Sequence, residues 1–435
     1  MISTGAGTPA ADELTAMVEA LYPLCRSITG DGVRRTLEIL GEVAPIEVHE
    51  VASGTPVLDW VVPPEWNIRE AWIADPSGTR VVDFAACNLH VVSYSVPFRG
   101  RMSLDDLRPH LFALPEQPDL IPYRTSYYQR TWGFCLSQRV LDSLEPGEYE
   151  VCVDSTLKPG SLTYGELVVP GASDREFLIS AHVCHPSLCD DNLTGLAVSA
   201  HLARDLLTGS TPRYTYRFLY APGTIGAITW LDRHRDDSAR IAHGLTLTCL
   251  GDDHPFTYKR TVGADAVIDR AAAQVLRDRG DRDQLIDFFP YGYDERQYNS
   301  PGFRLPVGSL MRGRHGQFPE YHTSADNLGF VSGARMVESY GVLRAIVDTV
   351  ERERRYRNRA PFGEPQLGSR GLYQAIGGTN VADLQLAMLW VLNLSDGTNG
   401  LLDIAARANM PFDTVATAAQ LLDEHDLLED ADATG

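Results

Sequence analysis

Apolar positions Leu14, Met17, Val18 and Leu21 recur at helical spacing through DELTAMVEALYPL, which predicts an amphipathic helix, and RRTLEILGEV predicts a second. Residues before about 11 read as loose. From about 57 to 155 the pattern turns to β. AWIADPSGTRVVDFA predicts a hairpin turning at Asp75-Pro76-Ser77-Gly78, and NLHVVSYSV and YEVCVDS predict further strands. MSLDDLRPHLFALP predicts a short helix capped by Ser103. From about 160 strands and helices alternate. EFLISAHV, YRFLYAPG and GLTLTCLG are strands; LTGLAVSAHLARDLL, IGAITWLDRH and AVIDRAAAQVLRD are helices. IDFFPYG and LPVGSLM predict short strands, and VESYGVLRAIVDTVERERRYR a long closing helix. After the Gly/Pro-rich break GEPQLGSRG come the helices LQLAMLWVLN, LLDIAARAN and DTVATAAQLLDEHD, the last two joined by MPF at helix-turn-helix spacing.

Such alternation predicts an α/β fold with a mostly parallel or mixed sheet covered by helices, whose ligand sites lie at the C-terminal strand ends. The expected divisions are N-terminal helices belonging to the core (1–55), a β-rich inserted module (56–155), the α/β core (156–360) and a terminal helical domain (365–435).

Composition narrows the function. The 435 residues are 44% hydrophobic and 22% charged, which is ordinary for a globular chain, and the net charge is −20. So acidic a chain argues against nucleic-acid and anionic-membrane partners. No apolar run approaches the ~18 residues of a membrane span. The opening MISTGAGTPAADE is not a secretory signal, and seven scattered cysteines read as reduced thiols, so a cytoplasmic protein is expected.

AHVCHPSLCDDNLTG (181–195) gathers two histidines, two cysteines and two aspartates behind an apolar strand. His182 should emerge at the sheet's C-terminal edge, with Asp190 and Asp191 at a helix entrance. Histidine with carboxylate suits zinc, yet an aspartate capping a helix beside a hydrogen-bonded loop histidine would read the same. PEYHTSADN (319–327) supplies His322, either a distant third ligand or a structural loop residue.

The strand ending in His, the Asp-Asp-Asn before a helix and the late Tyr-His-Thr-x-x-Asp resemble the zinc aminopeptidases, the family that also contains the glutaminyl cyclases. YGYDERQYNSPGFRLPVGSL is similar to that family's Ser-Asp-x-x-x-Phe stretch. Over roughly 12–430 the chain more closely resembles the bacterial aminopeptidase-like domain proteins, in which a winged helix follows the peptidase fold. DERQYNSPG, PVGSLMR, EYHTSADN and LWVLNLSDG carry that likeness. The resemblance implies that His182, Asp190 or Asp191, and His322 are zinc ligands. It sets Asp190 as the bridging aspartate and Asp191 as its cis-peptide neighbour, with a one-residue slip exchanging them.

The pattern breaks at PGTIG. Gly223 stands where the family has its general base and Thr224 where it has a ligand, while Thr248 holds the place of a later aspartate ligand. The remaining ligands suffice for one zinc with an open position. Glu295, Glu320, Asp252 and Asp253 are candidate replacement bases. Cys184 stands where the peptidases carry an aspartate that orients the first histidine. His185 is a fourth ligand, a donor to substrate or a packed loop histidine. Arg296, Arg312 and Arg314 could grip a substrate carboxylate or phosphate, or balance the acidic surface.

The terminal helices resemble a winged helix-turn-helix, but DTVATAAQLLDEHD carries no Lys or Arg to meet phosphate, so packing or self-association is expected and a homodimer is left open. The implied function is a zinc-dependent amide- or peptide-bond enzyme acting on a small peptide or amide. A pseudo-peptidase binding scaffold, a non-hydrolytic acyl-transfer or cyclase activity, and a transcriptional regulator are the alternatives.

Overall fold

The computed structural model describes residues 7–280, 282–372 and 379–431. Residues 1–6 and 432–435 lie outside these, and with them part of the expected loose start and of the acidic tail. Two compact units emerge, one of residues 1–263 and 286–341, the other of 264–285 and 342–435.

The first unit is built on a mixed sheet. Its strands are β1 (Glu47–Ala52), β2 (Ser161–Val169), β3 (Glu176–His182), β4 (Thr215–Ala221), β5 (Ile241–Leu247), β6 (Thr257–Lys259) and β7 (Val307–Met311). They lie in the order β1-β2-β4-β3-β5-β7-β6. β4, β3, β5 and β7 run parallel, while β1, β2 and β6 pair antiparallel with their neighbours. Every residue of β3, β5 and β7 is buried. Strands covered on both faces read as continuous apolar runs, which is why EFLISAHV, GLTLTCLG and LPVGSLM were legible as strands.

Helices α1 (Ala11–Leu21), α2 (Asp31–Gly41), α3 (Gly195–Thr208) and α4 (Ile225–Arg233) belong to this unit. α1 buries Leu14, Met17, Val18 and Leu21, the four positions its periodicity singles out. The long helix α5 (Gly333–Arg352) ends earlier than its pattern suggests: ERRYR does not continue it, and Arg355–Asn358 form a strand instead.

Within residues 56–155 an antiparallel sheet runs in the order Arg80–Asp83, Glu65–Ala74, Glu148–Lys158, Phe98–Ser103. The expected hairpin turn is present: Gly78 takes φ 87° and an Asp75 carboxylate oxygen accepts from Ser77 and Thr79 N–H. Ser103 caps its helix by accepting from Asp106 N–H at 3.2 Å. NLHVVSYSV is not a strand. It opens on a 3-10 turn, Asn88–His90, and reverses at Tyr94, whose φ is 71°. Its apolar residues are buried by an irregular segment, which alternation alone does not separate from a strand.

In the second unit a three-stranded sheet, ordered Asp396–Gly400, Arg355–Asn358, Leu428–Asp430, accompanies the helices Thr379–Leu394, Leu401–Ala408 and Phe412–Glu424. This is a winged helix. The helix Val267–Arg279 belongs to the same unit. Gln274 Nε2 donates to the Met410 carbonyl, and Phe412 N–H to the Asp278 carboxylate. Among the described residues no helix is long and apolar enough to cross a membrane.

Candidate metal centre

β3 ends on His182, and the chain then makes an irregular turn before α3. That turn spans Cys189–Thr194, with non-helical backbone at Asp191 and Asn192 and a cis peptide between them. Asp326 holds it: one carboxylate oxygen accepts from Asp190 N–H at 2.7 Å, the other from Asp191 N–H at 3.1 Å.

The result is a carboxylate set between two imidazoles. Asp191 Oδ1 lies 2.8 Å from His182 Nε2, and Asp191 Oδ2 lies 2.9 Å from His322 Nε2. Asp191 is wholly buried. Burial alone would raise its pKa, but His185 and His182 outweigh that and hold it well below the usual carboxylate range. His182 Nε2, though this close, makes no aligned hydrogen bond. His322 sits at φ 56°, with its ring stacked on Tyr321 at 4.0 Å.

The resemblance set Asp190 in the bridging place, and the structure shifts the pattern by one residue. The Asp190 carboxylate faces away, accepting from Gly251 N–H at 2.8 Å and the Thr194 hydroxyl at 3.1 Å. Burial, then Asp252, raises its pKa well above the ordinary value. The cis bond follows Asp191, not Asp190.

His185 joins the cluster. Its ring centroid is 4.9 Å from that of His182 and 5.0 Å from that of His322, and burial keeps it neutral. Its carbonyl accepts from the buried Arg26 guanidinium at 2.9 Å. Cys184 lies behind, pushed up to about 12 by burial, 3.0 Å from the Tyr293 hydroxyl and 3.2 Å from the Gly223 N–H that donates to it.

The other expected residues divide. Arg296 is half-buried, and its guanidinium reaches the Thr224 hydroxyl at 3.4 Å, near the centre. Arg312 is not on the rim: it is 3% exposed, stacked on Phe256 and bonded to Ser339, Glu338 and the His254 carbonyl. Those partners occupy the fork that substrate would need. Glu295 is fully buried in an ion pair with Lys259 and accepts from Tyr293 N–H, so its lone pairs are engaged. Asp252 is buried and accepts from His254 and Gly313 N–H, whereas Asp253 pairs with Arg335 at the surface. Glu320 stands half-buried two residues before His322.

Three residues escaped sequence reasoning. Tyr293 stacks on His182 at 3.5 Å. A Cβ at Gly223 would lie 1.9 Å from its hydroxyl, so the tyrosine fills the space a base at 223 would need. Asp294 is buried, accepts from Thr224 N–H at 2.7 Å and is pushed by burial up to about 7. It lines one recess with His182, Thr248 and Tyr293. His315 follows β7, buried and pushed by burial down to about 4. Asp294 stood within the quoted DERQ phrase, and His315 follows a predicted strand end; both positions were open to notice.

Known proteins agree with this architecture. Residues 15–353 match the family described as "Domain of unknown function (DUF4910)", and residues 354–430 match a winged helix-turn-helix. A Clostridium acetobutylicum protein named "Putative polysaccharide biosynthesis protein with aminopeptidase-like domain" is 48% identical over 418 residues, 96% of each chain. A crystal structure named "putative peptidase", from the same species, is 47% identical, covers 97% of this chain and 96% of its own, and superposes with a TM-score of 0.92. A zinc aminopeptidase from Bacillus subtilis shares the fold at 12% identity, with 79% of this chain and 96% of that one covered and a TM-score of 0.58. With the family match spanning more than three quarters of its length, the chain belongs to the DUF4910 family, joined here to a C-terminal winged helix.

Proposed function

We propose that the chain is a metal-dependent amide-bond enzyme of aminopeptidase-like architecture, taking a small peptide or amide, with zinc held by His182, Asp191 and His322 and with His185 beside them. The carrying observation is the buried Asp191 carboxylate lying within 2.9 Å of both imidazole nitrogens while His182 Nε2 lacks an aligned hydrogen bond. A buried imidazole nitrogen without its bond is anomalous in a finished core and ordinary beside a cation. His185, Asp191 and His322 each offer a ligand atom within 4.8 Å of the others, and His182 adjoins them through the other Asp191 oxygen; histidine with carboxylate suits zinc, and such an ion, when bound, would polarise an amide carbonyl as a Lewis acid.

The chain's own residues supply the rest. Asp294, pushed by burial up to about 7 and lining the recess with His182, holds and releases a proton in place of the absent glutamate. Arg296 stands ready for an anionic end of the substrate. Cys184 and the turn bonded to Asp326 fix the orientation of the His182 and Asp191 side chains. A cytoplasmic setting is part of this reading. The second unit is read as a packing or self-association module, because Phe412–Glu424 contains no Lys or Arg. Salt-sensitive retention of random duplex DNA would count against that.

Protein purified without a histidine tag or chelator should carry zinc, and His322→Ala should lose about one equivalent per chain together with turnover of an amide panel. A second reading, a binding scaffold, draws on Tyr293 filling the base's place. Absence of metal from both proteins after incubation with zinc would favour it. Cyclised or transferred products from the panel would instead mark a non-hydrolytic acyl chemistry.

A further inference from the structure

We propose that the chain holds a second divalent ion, on Asp191, Cys249 and His315, beside the one read at His182, Asp191 and His322; the inference rests on that reading. One ligand atom from each of the three residues lies within 4.8 Å of the others, and all three residues are buried. They come from separate segments: the turn before α3, the loop after β5 and the loop after β7. Nothing in local sequence forces such a meeting.

One further observation points to an occupant. His315 Nε2 is buried and has no hydrogen-bond partner among the described residues, as is true of His182 Nε2 across the shared carboxylate. Cys249 is held at φ 50°, a backbone state that side chains other than glycine rarely adopt. Its N–H donates to the Asp190 carbonyl at 3.1 Å and its carbonyl accepts from Arg312 N–H at 2.8 Å, so the loop imposes this conformation from both sides.

The chemistry is specific to this chain. Thr224 and Thr248 stand where the resembling enzymes have carboxylate ligands, and the Thr248 hydroxyl lies 3.4 Å both from Asp191 Oδ1 and from Cys249 Sγ. Here a thiol and an imidazole stand beside the shared carboxylate. That borderline-soft set selects zinc or cobalt over magnesium or calcium. Binding forms the metal–sulfur bond as the Cys249 S–H bond breaks, and the proton leaves to solvent.

Cobalt substitution reads the thiolate directly. The cobalt-loaded parent should show a near-ultraviolet thiolate-to-cobalt charge-transfer band, which Cys249→Ser removes and Cys184→Ser keeps. Zinc content should fall from about two per chain to about one in Cys249→Ser and in His315→Ala. A parent with one zinc and no band would overturn this inference while leaving the first site standing. A band lost in Cys184→Ser instead would overturn it in favour of His182, Cys184 and His185. No metal in any protein would overturn both readings. Should Cys249→Ser fail to fold by circular dichroism, the parent's band and the zinc content of His315→Ala decide.

Discussion

Asp294 shows how much one buried side chain can set. Burial pushes it up to about 7 against the pull of the Thr224 N–H that it accepts. A carboxyl raised in the folded state contributes stability that is complete below its unfolded value, near 3.8, and is lost as pH rises through about 7. Asp294→Asn keeps the acceptor and removes the charge. Relative to the parent, the variant should therefore gain on the order of 2 kcal/mol between about pH 4 and about pH 8, read from urea unfolding at each pH. The same difference at both would mean that Asp294 does not ionise in that window. At this scale the motif letters marked which side chains gather and not how they face one another. His182 and His322 were legible because a strand end and a Tyr-His-Thr phrase mark them. Which aspartate faces them was not, since Asp190 and Asp191 are adjacent in an irregular turn whose direction depends on Asp326, 135 residues away from Asp191.

At the scale of elements, the space beside residue 223 is already taken. The turn that leads from β4 into α4 passes Gly223 against Tyr293, which is fixed by its contacts with His182 and Cys184. A methyl group at 223 would have to displace that ring, so Gly223→Ala should destabilise the chain by about 1–3 kcal/mol. Combined with Tyr293→Ala, its cost should largely vanish in a double-mutant cycle followed by thermal unfolding. Full additivity would mean that the two residues do not compete for the space. The same comparison separates the elements that periodicity could find from those it could not. α1 and the buried parallel strands satisfy one rule along their whole length. NLHVVSYSV and ERRYR do not: the first buries its apolar residues in an irregular segment, and the second leaves the helix to take a place in a three-stranded sheet. Pairing partners distant in the chain decide both cases, and no window of local sequence contains them. The nearness of Cys249 to His315 has the same origin. A sequence lacking Glu at 223 and 224 reads as a one-metal protein, because the meeting of Cys249 with His315 depends on β5 and β7 lying side by side.

For the whole molecule, the helix Val267–Arg279 carries the most consequential boundary. Along the chain it sits among core strands, and a division at 365 would leave it with them. It packs instead in the second unit, with Ile268, Ala271, Ala272, Val275 and Leu276 buried, and it is bonded to Asp403, Met410 and Phe412 of the winged helix. Winged-helix residues are thus part of what allows this segment to fold. Exposing Ile268, Val275 and Leu276 to water would cost about 1.5–3 kcal/mol each, enough to consume much of the margin of an ordinary domain. A chain ending at residue 353 should therefore bind an apolar dye, lose cooperativity in thermal unfolding and give little soluble protein, even though it spans the whole DUF4910 match. Restoring residues 354–435 as a separate chain should recover solubility if the loss comes from that uncovered helix. A truncated chain that unfolds cooperatively at the parent's midpoint would show that the helix finds its cover elsewhere, and would make the winged helix an appendage that the rest of the fold does not need.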